Sequence, residues 1–151
     1  MEAVDTLLML SRDTLTALNL QRNPLGAKQQ DPILALTNTF KALKLKKLDL
    51  SECQLMGPNN MRYRGLNELV GALTKGKRRL THLRMAHNQL HSEGTKIMAG
   101  LVPSLPKLRH LDLSHNPLTR NPLGQRSEAG FAPLCTALCD CLSLHTLRLS
   151  D

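Results

Sequence analysis

Leucines recur along the chain at a fixed spacing, with polar residues between them. The stretch 108–118 reads LRHLDLSHNPL, with leucine at its first, fourth, sixth and last places and asparagine at its ninth. Alternation of apolar and polar residues predicts a short strand, and the asparagine predicts a turn directly after it. The same pattern occurs at 15–25 (LTALNLQRNPL), 45–55 (LKKLDLSECQL) and 80–90 (LTHLRMAHNQL), and a fifth copy, LHTLRLSD, begins at Leu144. A repeat of this kind outranks other signals in predicting a fold.

The ninth place of the pattern predicts how each turn is held together. Asn23, Asn88 and Asn116 occupy it, and a buried amide can bond backbone groups that a curving chain leaves unpaired. Cys53 takes this place in the second copy. A free cysteine is acceptable there because it is a small buried group with a weak donor.

Helices are predicted between the copies, which begin 30, 35, 28 and 36 residues apart. Capping residues predict helix starts near Asp31-Pro32, at Asn59 or Asn60, at Ser92 and at Ser127, and Met1–Arg12 has apolar residues at helical spacing. The residues expected to face inward are Ile33, Leu36, Phe40 and Leu43; Leu66, Leu69, Val70 and Leu73; Ile97, Met98, Leu101 and Leu105; and Phe131, Leu134, Leu138 and Cys141. The longer steps indicate insertions near Gly26–Asp31, Gly57–Met61 and Thr119–Arg126.

This pattern resembles the ribonuclease-inhibitor type of leucine-rich repeat, in which Asn and Cys share the turn position and a helix follows. The resemblance implies an α/β fold: a short leucine-rich-repeat solenoid of about five repeats, with parallel strands on a concave face and helices on a convex face. It covers nearly the whole chain, so we expect residues 1–151 to form a single leucine-rich-repeat domain. Because Leu144–Asp151 would be an uncovered edge strand, we expect a fragment of a longer repeat array.

Composition narrows the class of protein and its location. Aromatic residues are 2% of the 151 residues, so the core is expected to be aliphatic. The four cysteines are predicted to be buried free thiols and not metal ligands: Cys53, Cys135, Cys139 and Cys141. They indicate a reducing, intracellular compartment, the cytoplasm first and the nucleus as the alternative. Membrane association is not expected, since no apolar run approaches the ~20 residues of a membrane span, and Met1–Arg12 lacks the features of a secretory signal.

Stacked repeats would place the third, fifth, seventh and eighth places of the pattern in columns on the concave face. The fifth column alternates in charge over Asp49, Arg84, Asp112 and Arg148. It predicts a ladder of cross-strand ion pairs, a charge pattern matched to a partner protein, or both.

Four histidines also occupy equivalent places, His82 and His110 in the third column and His87 and His115 in the eighth. Polar surface is the preferred interpretation and a pH-sensitive binding face the next, ahead of a metal or catalytic site. The candidate partner-binding residues on this face are Lys47, Asp49, Glu52, His82, Arg84, His87, His110, Asp112, His115 and Arg148.

Basic residues are concentrated in the middle of a chain whose net charge is +8. Residues 41–79 hold ten Lys and Arg against three Asp and Glu, including the run KGKRR at 75–79. A helix end followed by a surface loop is the simpler interpretation, and a nuclear-import signal or phosphate-binding patch is the alternative. The run KGKRR has no aromatic residue interleaved for base stacking, which makes nucleic acid an unfavoured partner.

The sequence has no glycine-rich phosphate loop, HExxH helix or nucleophile elbow. We therefore expect a non-catalytic protein–protein interaction scaffold, without cofactor or metal, that binds a partner protein on its concave face. Two alternatives stay open. One is a regulator of an enzyme, such as a GTPase-activating or ribonuclease-inhibitor-like protein, and the other is nucleic-acid binding through the basic patch.

Overall fold

Strands and helices alternate along the chain. The structure is a computed structural model that describes residues 2–26, 32–57, 63–76 and 79–150. Its elements are α1 (Glu2–Leu10), β1 (Ala17–Asn19), α2 (Pro32–Ala42), β2 (Lys47–Asp49), α3 (Tyr63–Lys75), β3 (His82–Arg84), α4 (Ser92–Leu101), a 3-10 turn (Val102–Ser104), β4 (His110–Asp112), α5 (Phe131–Cys139) and β5 (Thr146–Arg148).

The strands form one parallel sheet in the order β1-β2-β3-β4-β5. Parallel pairing follows from the chain order, because each strand is followed by a crossover that returns the chain to the same end of the sheet. The register aligns Ala17, Lys47, His82, His110 and Thr146 in one row. The residues two places further along each strand form a second row. These two rows are the predicted third and fifth columns, which are therefore confirmed. The predicted α/β leucine-rich-repeat solenoid is confirmed with them.

An aliphatic core lies between the sheet and the helices. The strand leucines Leu48, Leu83 and Leu111 are each 1% exposed. Most helix residues predicted to face inward are buried, namely Ile33, Leu36, Phe40, Leu43, Leu66, Leu69, Leu73, Met98, Leu101, Leu105 and Leu134. Val70, Ile97, Phe131, Leu138 and Cys141 are only partly buried and pack against this core.

Two of the predicted N-cap residues, Ser92 and Ser127, are wrong. Helix α4 has His91 at its N-cap and Ser92 as its first residue, and α5 begins at Phe131 after Gly130 and not after Ser127. A Cβ added to Gly130 would lie 1.8 Å from the Ser92 carbonyl oxygen, so only glycine allows α5 to begin this close to α4. The predicted caps Asp31, Asn59 and Asn60 lie outside the described residues.

The predicted insertion at Thr119–Arg126 is a structured loop. Arg120 and Arg126 form an antiparallel bridge, and Asn121 Oδ1 accepts the backbone N–H groups of Leu123 at 3.0 Å and Gln125 at 2.9 Å. The other two predicted insertions fall mostly on residues 27–31 and 58–62, outside the described part of the chain.

Asparagine side chains tie successive repeats together at the turns. Asn88 Oδ1 accepts the N–H groups of Cys53 at 3.0 Å and Leu55 at 3.3 Å, while its amide donates to the Leu50 carbonyl at 2.8 Å. Asn116 repeats this one turn further on, accepting from the N–H groups of Asn88 and Leu90 at 2.9 and 3.1 Å. Each asparagine therefore satisfies buried backbone groups of the preceding repeat.

Cys53 keeps half of this arrangement. Its thiol donates to the Leu20 carbonyl oxygen at 3.0 Å, the equivalent of the bond from Asn88 to Leu50. A thiol lacks the strong acceptor of an amide, so the first turn is closed within its own repeat by the Leu25 N–H donating to the Asn23 carbonyl at 2.7 Å. Burial is the main reason that the pKa of the Cys53 thiol is raised to about 11.

The other three cysteines differ from the prediction of buried thiols. All four cysteines are free, but Cys135 and Cys139 are exposed and Cys141 is half-buried. The buried stripe of α5 runs through Leu134 and Ala137, and a residue next to such a stripe is rotated about 100° away from it. Helix α5 therefore turns Cys135 and Cys139 to solvent.

His91 is buried at the start of α4, where it is 6% exposed. Within the described residues neither ring nitrogen has a hydrogen-bond partner. Burial lowers the pKa of His91, because a charged imidazole would lose its hydration without gaining a partner. Burial therefore favours the neutral form of this side chain.

The asparagine bonds make a prediction about stability. Asn88→Ala is expected to lower the free energy of unfolding by about 3 kcal/mol or more, because it leaves two buried N–H groups and one carbonyl unsatisfied. Chemical denaturation followed by circular dichroism measures this loss. Asn23→Ala is the matched control with an expected loss below about 1 kcal/mol, since the exposed Asn23 amide bonds only carbonyls of its own repeat. Equal losses in the two variants would contradict the inter-repeat role.

The thiols give a second, independent prediction. Iodoacetamide is expected to modify Cys135 and Cys139 rapidly in the folded protein, while Cys53 reacts only on unfolding because it is buried and its thiolate is disfavoured. Mass spectrometry of timed samples, with and without denaturant, measures the order of reaction. Fast modification of Cys53 in the native protein would show that the second turn is open.

Candidate functional site

The predicted partner-binding residues lie on the exposed surface of the sheet and on the turns at its carboxyl edge. Lys47, Arg84, His87, His115 and Arg148 are exposed. The remaining five are half-buried: Asp49, Glu52, His82, His110 and Asp112. The structure brings all ten together as neighbouring rows on four adjacent repeats, those of β2 to β5, and we call this surface the concave face.

The three middle members of the seventh column do not belong to this face, contrary to the prediction. Ser51, Ala86 and Ser114 are only 6%, 8% and 7% exposed. The strands end at the fifth place, so the alternation of side chains stops before the seventh, where the chain has already turned. These small residues are instead enclosed within the turns.

The fifth column contains the predicted ion pairs. Arg84 lies 3.6 Å from an Asp49 carboxylate oxygen, and Arg148 lies 3.8 Å from Asp112. Both carboxylates are held a second time, because Asp49 accepts the Ser51 N–H at 3.0 Å and Asp112 accepts the Ser114 N–H at 3.1 Å. Each aspartate thus closes its own turn while it faces an arginine on the next strand.

The two aspartates are fixed more firmly than their partners. The Asp49 and Asp112 side chains are each 15% exposed, whereas those of Arg84 and Arg148 are 59% and 63% exposed. Exposed pairs of this kind contribute little to stability. Arg84 and Arg148 can therefore give up these ion pairs for other contacts without disturbing the turns.

The four histidines form two stacked pairs. The rings of His82 and His110 have centroids 4.1 Å apart, and those of His87 and His115 are 4.2 Å apart at an interplanar angle of 13°. The second pair lies on turns of the same shape, since His87 and His115 have φ values of 55° and 54° in the left-handed region. Identical backbones bring the rings into register.

The eighth place has this left-handed conformation in every turn that the structure describes completely. Arg22 and Glu52 have φ values of 62° and 57°, and the Arg22 Nε lies 3.2 Å from both carboxylate oxygens of Glu52. Hydrogen bonds from Gln21 and Arg22 lower the pKa of Glu52. Sequence alternation placed Glu52 on the face but could not reveal this backbone conformation or the pair with Arg22.

Two open hollows lie along the concave face. One, about 470 Å³ in volume, lies between β1 and β3 and is floored by Leu18 and Leu48, with Lys47, Asp49 and Arg84 around it. The other, about 180 Å³, lies between β3 and β5 beside the His82–His110 stack. Both hollows are shallow and open to solvent, a shape that suits the side chains of a partner better than an enclosed small molecule.

Among the described residues, no three or more His, Cys, Asp or Glu side chains are grouped so that they could hold a metal ion. Across those same residues, none of the helices has the length and apolar character that crossing a membrane requires.

Comparison with known families identifies the repeat. The family described as Leucine Rich Repeat matches residues 44–63 and 107–125, and a second family, described as Leucine Rich repeat, matches residues 77–96. Together with the parallel sheet and its helices, these matches show that the chain is a leucine-rich-repeat protein. They do not confirm the ribonuclease-inhibitor subtype.

Two similar proteins extend this comparison. The Tonsoku-like protein of Mus musculus is 36% identical over 105 residues, a region that covers 68% of this chain and 7% of that protein. The tropomodulin C-terminal domain of Caenorhabditis elegans has the same fold, with a TM-score of 0.68 at 18% identity over 99% of this chain and 82% of that chain. The chain thus spans a small part of its curated relative and most of the solved domain.

Leucine-rich repeats indicate a protein-interaction role, and domains of this class are generally non-catalytic.

The stacked histidines give a prediction about pH. Desolvation, followed by the charge of His110, lowers the pKa of His82 below its ordinary value of 6.5. The unfolded chain then binds this proton more tightly, so the contribution of His82 to stability is complete above pH 6.5 and is lost as pH falls through the folded-state pKa. Two-dimensional NMR of the imidazole protons is expected to show His82 titrating below this value.

The variant His110→Gln is expected to raise the His82 pKa towards its ordinary value, because it removes the neighbouring positive charge. His115→Gln is the control, since it removes a histidine from the other stack and leaves His82 where it is. An unchanged His82 titration in His110→Gln would show that the two rings are not coupled.

Proposed function

We propose that this chain is a non-catalytic scaffold that binds a partner protein on its concave face. The register of the parallel sheet supports this proposal, because it gathers charged and polar side chains from five repeats onto one continuous surface. Extended surfaces of stacked repeats are commonly used for binding.

The fixed aspartates add to this support. Asp49 and Asp112 are held by backbone N–H groups of their own turns before any partner arrives. Binding to a partner therefore costs little side-chain entropy at Asp49 and Asp112, since the positions of these two side chains are already set. The exposed Lys47, Arg84 and Arg148 surround them and provide charges that a complementary partner would pair.

We also propose an intracellular location, the cytoplasm first and the nucleus as the alternative. The four cysteines are free, and two of them are exposed to solvent. Exposed thiols persist most readily where the surroundings are reducing.

Alanine substitution on the concave face tests the proposed function. Lys47→Ala, Arg84→Ala and Arg148→Ala, combined in one variant, are expected to weaken partner retention about tenfold or more, because charged contacts at the centre of an interface contribute strongly. Asp49 and Asp112 are left intact because they close the turns. Affinity capture from cell lysate with quantitative mass spectrometry identifies the retained protein, and titration of that purified protein measures the affinity.

The matched control is Lys41→Ala, Arg64→Ala and Lys96→Ala, which removes the same charge from exposed positions on α2, α3 and α4. Circular dichroism must show that both variants are folded. Equal retention by both variants would contradict concave-face binding. A retained GTPase whose hydrolysis rate rises on binding would favour the role of enzyme regulator.

A further inference from the structure

A row of basic residues lies at the amino ends of the strands, on an edge of the solenoid separate from the ion pairs and histidine stacks of the concave face. In the second, third and fourth repeats, cations flank the first leucine of the pattern. These five residues, which we call the basic edge, are Lys44, Lys46, Arg79, Lys107 and Arg109.

The geometry of the first leucine explains why these cations point outward together. Leu45, Leu80 and Leu108 are 5%, 4% and 0% exposed, so their side chains enter the core. The residues directly before and after these leucines are not drawn into the core, and Lys46, Arg79, Lys107 and Arg109 among them are exposed.

Backbone hydrogen bonds hold the row in register. The Lys46 carbonyl accepts the Thr81 N–H at 2.8 Å, and the Thr81 carbonyl accepts the Arg109 N–H at 2.9 Å. Neighbouring strands lie about 4.8 Å apart, so the row is about 10 Å long across the three repeats. Lys41 and Lys75, at the last turns of α2 and α3, add further positive charge close to the same ends of the strands.

Most of this charge is not neutralised within the described part of the chain. Lys44 pairs with Asp13 at 2.6 Å, which lowers the Asp13 pKa. No described carboxylate lies within 4.0 Å of Lys46, Arg79, Lys107 or Arg109. On the turns at the opposite edge, by contrast, Arg22 pairs with Glu52.

We propose that the basic edge binds an acidic segment of a polypeptide. An extended peptide rises about 3.3 Å per residue, so a row of about 10 Å spans three or four residues of an acidic segment, of which every second side chain faces the row. The same row would meet only about three phosphates of one duplex strand, fewer than the about 6–10 contacts of many DNA-binding proteins.

Fluorescence anisotropy with a labelled octaglutamate peptide tests this proposal at about 50 mM salt. The peptide is expected to bind, and its affinity is expected to fall as salt is raised. Arg79→Gln, Lys107→Gln and Arg109→Gln, combined, are expected to weaken binding about tenfold, since three exposed ion pairs are lost. The control Arg64→Gln, Lys96→Gln and Arg120→Gln loses the same net charge from other exposed sites and is expected to bind almost as well as the parent protein.

Three results would overturn the proposal: no binding of octaglutamate at low salt, equal weakening in both variants, or equal binding of an octaglutamine peptide. Tighter, edge-dependent binding of a labelled DNA duplex would also overturn it and assign the edge to nucleic acid. The concave variant with Lys47→Ala, Arg84→Ala and Arg148→Ala is expected to keep most of its octaglutamate binding. The basic edge and the proposed concave-face function can therefore fail independently.

Discussion

The structure depends on side-chain amides that satisfy the backbone where the chain turns. Each repeat must leave its strand, turn and enter a helix, and the backbone groups of that turn are buried by the neighbouring repeats. Asn88 and Asn116 bond N–H groups and carbonyls of the preceding repeat, so that each turn becomes the support of the next. These amides tie β2 to β3 and β3 to β4 in the common register that aligns the surface columns.

Cys53 shows how far this constraint can be relaxed. The thiol keeps the donor to the preceding repeat and gives up the acceptor. The substitution falls next to the turn that contains Asn23, which is more exposed than the turns of Asn88 and Asn116. Fewer buried N–H groups depend on the missing acceptor there, which is why the thiol is tolerated.

The register produces two surfaces with different electrostatic character. On the concave face, opposite charges alternate, so Asp49 and Asp112 are already paired and fixed by their turns. On the basic edge, Arg79, Lys107 and Arg109 stand beside one another without described acidic partners. A partner of the concave face must compete with existing pairs, which favours specificity, whereas the edge attracts any acidic group and loses that attraction in salt.

Local pattern was enough to predict the strands, the helices, the parallel columns and the identity of most core residues. These features follow from the period of the leucines and from the alternation of a strand, which depend only on residues close together in the chain. The ion pairs of Asp49 and Asp112 were predictable for the same reason, because repeats of known register place equivalent residues side by side.

Tertiary contacts decided the remainder, because burial at a given place depends on which neighbour covers it. Ser51 and Ser114 are enclosed since the turn ends the alternation, and Cys135 and Cys139 are exposed since α5 buries only the stripe of Leu134. The start of α5 was set by the close contact of Gly130 with Ser92, not by a capping residue. Lys44, Lys46 and Arg79 likewise joined Lys107 and Arg109 in one row only once the repeats were stacked, because residues about 30 positions apart in the chain become neighbours there.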